Sequence, residues 1–273
     1  MQESVLQLSQ QVAERRYGKF RGFVEDNEDP EERGRIKVRV PSVLGDGVTD
    51  WALPCTPFGG AKAHGFFAVP EVNAQVWVEF EEGDIHRPIW VGTFWQHRDD
   101  VPEGARKPEP TTRSFETPSG HVLQFEDEEG AERLLLRHAT EAELEIDAHG
   151  TVTITDADGA TIRLDTQTGT ITIEDTNGNV LTMSNMGTNV DDSNGNSIEM
   201  SASGIVARST HVVIDAQQVD LGGLGGEPLI KGLSFLAKYA THTHFVTPIV
   251  AGQSSPPIPQ GEISTLSTGV RTT

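Results

Sequence analysis

Apolar and polar positions alternate along most of this chain, and the style of the alternation changes twice. Over residues 1–16, Val5, Leu6, Leu8, Val12 and Ala13 fall at approximate helical spacing, which predicts a short amphipathic helix or an N-terminal arm. From Tyr17 the spacing becomes that of strands. Residues 20–25, 34–40, 50–56, 74–80 and 88–94 are β-rich runs separated by Gly, Pro and Asp clusters. Five short strands packed into one segment predict a small closed barrel of OB type over residues 17–96. Residues 97–116 are charged and proline-rich and read as a linker.

Beyond the linker the pattern repeats. Turns of the form Asp-x-x-Gly recur at Asp127/Gly130, Asp147/Gly150, Asp156/Gly159, Asp175/Gly178 and Asp192/Gly195, and the glycines from Gly150 to Gly204 are spaced 9, 10, 9, 9, 8 and 9 apart. Apolar pairs with period 2 lie between them, among them Leu123/Phe125, Val152/Ile154, Ile162/Leu164, Ile171/Ile173, Leu181/Met183 and Ile198/Met200. The phase fades near Gly187, where Asn189 and Asp191 occupy the places expected to be apolar. Short strands with one apolar face at a near-constant repeat predict a β-solenoid shaft over residues 117–234. Each strand offers two apolar side chains, too few to close a solenoid from one chain. Three chains wound about one axis would supply six per layer and would pair strand edges between subunits. The expected fold is therefore all-β: an N-terminal OB-fold barrel followed by a trimeric, intertwined β-helix. A tip over residues 235–273 completes it, because Pro256, Pro257 and Pro259 cannot continue a ladder.

Composition agrees with a turn-rich, thinly cored chain. Of 273 residues, 36% are hydrophobic, and 28 glycines stand beside 15 prolines. The formal net charge of −20 disfavours nucleic acid and anionic lipid surfaces as partners. The single cysteine, Cys55, rules out an intrachain disulfide and fits synthesis in a reducing compartment; its apolar neighbours predict a small buried side chain. No run is long enough to cross a membrane as a helix, and no signal peptide opens the chain.

Candidate chemistry is sparse. The acidic turns lack EF-hand spacing and are explained by Asp capping its own backbone while Gly takes the positive-φ place. No Gly-x-Ser-x-Gly elbow, phosphate-cradling loop or His-Glu-x-x-His is present, and no catalytic residue is assigned. The four tryptophans, Trp51, Trp77, Trp90 and Trp95, all lie in the barrel segment and read as core and interface residues. The exception is His242-Thr243-His244. On an extended chain both imidazoles face one side, and threefold symmetry would gather six nitrogens on the axis. Such a set suits an octahedral first-row metal such as iron, one per trimer, held as a structural site. The other histidines (His64, His86, His97, His121, His138, His149 and His211) show no ligand spacing.

Several stretches together resemble the phage baseplate assembly protein V and VgrG-type spike family. They include Tyr17-Gly18-Lys19-Phe20-Arg21-Gly22-Phe23-Val24, Gly34-Arg35-Ile36-Lys37-Val38-Arg39-Val40-Pro41, Val76-Trp77-Val78-Glu79-Phe80 and Thr117-Pro118-Ser119-Gly120-His121, with His242-Thr243-His244 similar to an iron-binding apex. The resemblance implies a homotrimeric spike that caps the tail tube of a contractile injection machine and pierces the target cell envelope. It further implies that the barrel docks on the baseplate hub or tail tube and that a PAAR-type protein caps the tip. Assembly would take place in the cytoplasm, and the product would be part of a virion tail or extracellular injection particle. Only the 97–116 segment stands where some relatives carry a lysozyme domain, so the expected protein is a bare spike. The alternative is a β-helical glycan-binding or glycan-cleaving tailspike. It would require an aromatic or carboxylate groove along residues 117–221, where Phe125 is the one aromatic residue.

Overall fold

Strand alternation in the first segment buries every second residue. In the computed structural model, which describes residues 14–216, 232–241, 245–246 and 252–253, that segment forms β1 (Phe20–Asp26), β2 (Lys37–Arg39), a one-turn helix α1 (Pro41–Leu44), β3 (Leu53–Pro54), β4 (Gln75–Phe80) and β5 (Pro88–Thr93). Their order is β2-β1-β4-β5-β3, with β3 parallel to β5 and the other neighbours antiparallel. The ring closes between β2 and β3. There the Ala52 amide donates to the Ile36 carbonyl at 2.8 Å and the Ile36 amide donates back at 3.2 Å. This is the five-stranded OB ring. Val24, Ile36, Val38, Val40, Ala52, Val76 and Val78 are fully buried inside it, with Phe80 and Trp90 nearly so.

The turn between β1 and β2 is held by one carboxylate. Asp29 accepts backbone amides from Glu31, Arg33 and Arg35 at 3.0, 2.8 and 3.2 Å, and the Arg35 guanidinium at 2.6 Å. The Arg35 guanidinium, then those amides, keep the Asp29 carboxyl well below the usual carboxylate range. Trp90 Nε1 donates to the Gly34 carbonyl at 3.2 Å, tying the same turn to the core.

One sequence expectation changes in the barrel. Cys55 is exposed rather than buried. It follows β3, where Ala52 points into the ring and Leu53 out of it, and period 2 carries Cys55 to Leu53's side. The tryptophans divide: Trp90 is core, Trp51 and Trp77 are half-buried, and Trp95 is exposed. Most of the N-terminal arm lies outside the described residues; at its end the Arg16 amide donates to the Gly83 carbonyl at 2.9 Å.

Residues 98–105 contain two 3-10 turns, Arg98–Asp100 and Glu103–Ala105, before the chain joins the second sheet. Lys107 Nζ reaches the buried Glu126 carboxylate at 2.6 Å, and Thr112 Oγ1 donates to it at 2.7 Å. Lys107 is the main cause of the fall in the Glu126 pKa to about 2.

The second sheet has eleven strands in chain order. They are β6 (Thr112–Glu116), β7 (Val122–Glu126), β8 (Arg133–Arg137), β9 (Glu143–Ile146), β10 (Val152–Thr155), β11 (Thr161–Asp165), β12 (Thr170–Glu174), β13 (Val180–Ser184), β14 (Gly187–Asp191), β15 (Ser197–Ser201) and β16 (Gly204–Arg208). Every neighbouring pair is antiparallel. The sequence predicts a coil; within one chain the strands instead form a meander. The connections are too short for the crossover of a dozen or more residues that parallel pairing requires. Strands β7 to β15 have both edges paired within their own chain, so edge pairing needs no second subunit.

Loop lengths differ between the two margins of this sheet. Along one margin, residues 117–121, 138–142, 156–160, 175–179 and 192–196 make loops of five residues each. Along the other, residues 127–132, 147–151, 166–169, 185–186 and 202–203 make loops of 6, 5, 4, 2 and 2 residues. The two-residue loop at 185–186 explains the apparent loss of phase near Gly187. That glycine is the first residue of β14 rather than the end of a long turn, so Val190, not Asn189, joins the apolar side opposite Leu181.

Four of the five Asp-x-x-Gly turns, at Asp147, Asp156, Asp175 and Asp192, share one geometry, whereas the Asp127 carboxylate pairs with Arg113 instead. Asp175 Oδ1 accepts the amides of Asn177 and Asn179, each at 2.9 Å, and Asp192 repeats this with Asn194 and Asn196 at 2.9 and 2.8 Å. The Asn179 side chain, then its amide, lower the Asp175 pKa from 3.8 to about 2. A carboxylate with a depressed folded-state pKa adds stability that is present above its unfolded value and is lost as pH falls through the folded one. The melting temperature is therefore expected to drop between about pH 4 and about pH 2, and Asp175→Asn to flatten part of that drop. Thermal melts across this range check it; a variant profile parallel to the parent's sinks the assignment.

Residues 211–273 are a separate unit. It contains α2 (Gly232–Thr241), on which Phe235 and Tyr239 stack at 5.7 Å, and the short pair β17 (Phe245–Val246) and β18 (Gly252–Gln253).

Candidate functional site

The pairing register sorts the side chains of the second sheet onto two faces. Directly opposed residues form one column that runs Phe115, Leu123, Leu136, Leu144, Ile154, Ile162, Ile173, Leu181, Val190, Ile198 and Ala207. A second column on the same face carries Phe125, Leu134, Ile146, Val152, Leu164, Ile171 and Met183, then Thr188, Met200 and Ile205. From β10 to β15 the opposite face is polar, with Thr153, Arg163, Thr172, Thr182, Asn189 and Glu199 following one another across it, whereas at β7 and β8 it carries the buried Val122, Gln124, Glu126 and Leu135. Its Arg208–Glu199 ion pair at 2.8 Å is solvent-exposed and contributes little to stability.

In the single chain the apolar face is uncovered. Ile162, Ile171 and Ile173 are 38%, 37% and 39% exposed, and Leu136 is 55% exposed. With about 4.8 Å between strands and about 3.4 Å per residue, the face measures on the order of 48 by 17 Å, roughly 800 Å². A typical monomer's largest apolar patch is about 300–600 Å², whereas a stable interface takes about 800 Å² from each partner. The face has the size of an interface.

The outer surface of the barrel is of different character. Arg21 lies over the rings of Trp77 and Phe94 at 5.7 and 5.3 Å, Lys37 over Trp51 at 4.7 Å, and Arg39 over Phe23 at 5.2 Å. These contacts explain why Trp51 and Trp77, though outside the core, are half-buried. Sequence alone could not pair them, because the cations and rings sit on different strands.

The predicted metal ligands His242 and His244 lie outside the described residues; helix α2 ends at Thr241, just before them. Among the described residues no group of three or more His, Cys, Asp or Glu side chains is placed to hold a metal ion. His121 and His138, unremarked by spacing, come together with ring centroids 4.4 Å apart, and His121 Nδ1 accepts the Ala139 amide at 3.3 Å. Phe125 stands on the apolar face opposite Leu134, so it belongs to no polar groove. No helix among the described residues is long and apolar enough to cross a membrane.

Residues 20–95, the closed barrel, match the family of type VI secretion system/phage-baseplate injector OB domains. The match covers the barrel alone, which thus agrees with injector OB domains in sequence as well as in the order of its strands. Actin cross-linking toxin VgrG1 of Vibrio cholerae serotype O1 is similar, at 28% identity over 114 residues. That match covers 39% of this chain, which spans about a tenth (10%) of the relative's length. Among solved structures, the G-box domain of the microcephaly protein CPAP aligns with 70% of this chain and 99% of its own at 10% identity, with a TM-score of 0.27, too low to bear on fold or function.

Proposed function

We propose that three copies of this chain assemble with their apolar sheet faces inward around a threefold axis, forming the central spike of a contractile injection machine. The spike caps the tail tube, its barrel docks on the hub or tube, and sheath contraction drives its far end through the target cell envelope. His242 and His244 of the three copies hold one iron ion at the tip, where a PAAR-type protein binds. The protein is assembled in the cytoplasm and leaves as part of a virion tail or injection particle. Its role is mechanical, and no residue is given a catalytic part.

One observation carries this reading: a barrel that matches injector OB domains is followed, after residues 94–111, by a sheet with one continuous apolar face of interface size. Two such sheets could cover one another only face to face, whereas three close a dry interior and leave the polar faces outward. Strand edges play no part, so the assembly is a packing of three sheets rather than a weave.

The mass in solution tests it. The expected value is three times the 29.6 kDa chain, with one metal ion per three chains by elemental analysis. A folded monomer overturns the reading. Changing His242 and His244 to Ala is expected to abolish the metal and leave the trimeric mass intact; an unchanged metal content removes these residues from the site.

A further inference from the structure

We infer that the loop between β3 and β4 is an assembly element that seats Phe58 of one copy in a cavity of the next, closing the barrel end of the shaft; this rests on the trimer proposed above. The loop is preformed. The Phe66 amide donates to the Phe58 carbonyl at 2.9 Å, and Ala61 and His64 form a bridge beyond it. Gly59 and Gly65 let its two limbs cross: a Cβ on Gly65 would stand 3.1 Å from both the Gly59 Cα and the Phe58 carbonyl oxygen.

This stiff tongue presents its aromatic side chains to water. Phe58 is 65% exposed and Phe67 73%. Beside it lies an open cavity of about 580 Å³, lined in part by Cys55, Phe66, Phe67, Trp90 and Phe115. Phe58 does not line the cavity of its own chain.

Two observations point to a second copy as the occupant. Phe115 lines the cavity and also heads the apolar column of the sheet, opposite Leu123, while Phe66 meets it edge-on at 6.4 Å. The cavity is thus continuous with the face that the neighbouring copy covers. Residues 51–70 also contain no Asp or Glu, in a chain with 41 of them, and one Lys, Lys62; Glu71 and Glu116 stand among the residues lining the cavity. Depletion of charge around exposed aromatics marks the core of a protein interface. A knob and a hole at different places on one surface make a head-to-tail contact, and around a threefold axis such contacts close a ring.

Cys55, the chain's single cysteine, reports on the cavity directly. Maleimide labelling of the full-length trimer, followed by mass spectrometry, is expected to be about tenfold or more slower than in the Phe58→Ser trimer, because opening the contact exposes the thiol. Equal rates in two intact trimers overturn the inference. A monomeric parent protein sinks the trimer itself, which the solution mass shows independently of any labelling. If Phe58→Ser falls apart into monomers the contact stands, provided that Phe58→Tyr, which keeps the ring, restores both trimer and protection. Failure of that rescue overturns it.

Discussion

Replacing Ile162 and Ile173 together with aspartate is expected to dissolve the proposed trimer into folded single chains. The two residues face each other across β11 and β12 in the middle of the apolar face, and in the free chain they are 38% and 39% exposed. Carboxylates at these positions stay hydrated in a lone sheet and leave its ladder intact. In the assembly they would be six unpaired charges in a dry interior, each costing about 3–5 kcal/mol. Opposed like charges add to that cost. Analytical ultracentrifugation is expected to show one chain, with the β circular-dichroism spectrum retained. Thr172→Asp, on the polar face, is expected to leave the trimer unchanged. A double variant that sediments with its parent would rule out this face as the interface.

The second large effect is expected at Gly187. It opens β14 with φ at +143° and pairs with Ser201 of β15, and a Cβ there would stand 2.0 Å from the Met200 carbonyl oxygen. No side-chain movement relieves a clash with backbone. Gly187→Ala therefore combines a backbone conformation that costs about 1–3 kcal/mol with the loss of ladder bonds as β14 and β15 part. A lowered urea midpoint and new proteolysis between residues 187 and 201 are expected. Gly195→Ala is the control: its φ is +87°, but nothing lies within 4 Å of its Cβ, so it should cost about 1–2 kcal/mol at most. If the two alanine variants unfold together, the close approach at Gly187 has no energetic weight.

Much of this architecture is legible in the residues. Val76, Val78 and Phe80 announce an inward-facing strand, and Asp147, Asp156, Asp175 and Asp192 mark turns that their own carboxylates cap. Ile162/Leu164 and Ile171/Ile173 give the apolar face two members at a time. Strand direction is less legible. Repeat length is compatible with a coil or a meander, and only loop length, which depends on where each ladder ends, separates them. The same uncertainty hid Val190, because Gly187 looks like a turn glycine until its pairing with Ser184 is known. The apolar neighbours of Cys55 suggest burial, although its parity with Leu53 places it outside. The Phe58 tongue has a readable signature in paired glycines flanked by phenylalanines, but its meaning depends on Phe115, nearly fifty positions away, approaching Phe66.

The unequal loops along the two margins of the long sheet have a mechanical consequence. One set holds five residues throughout, while the other shrinks from 6 to 2 as the chain runs from β7 to β16. In the proposed trimer, three such sheets about an axis would make a column that narrows from β7 towards β16. A column clamped at its base and pushed from behind feels its greatest bending moment near the clamp and almost none at the free end. Under the proposed piercing role, material would thus stand where the load would buckle it, and the narrowing end would convert the same thrust into higher pressure.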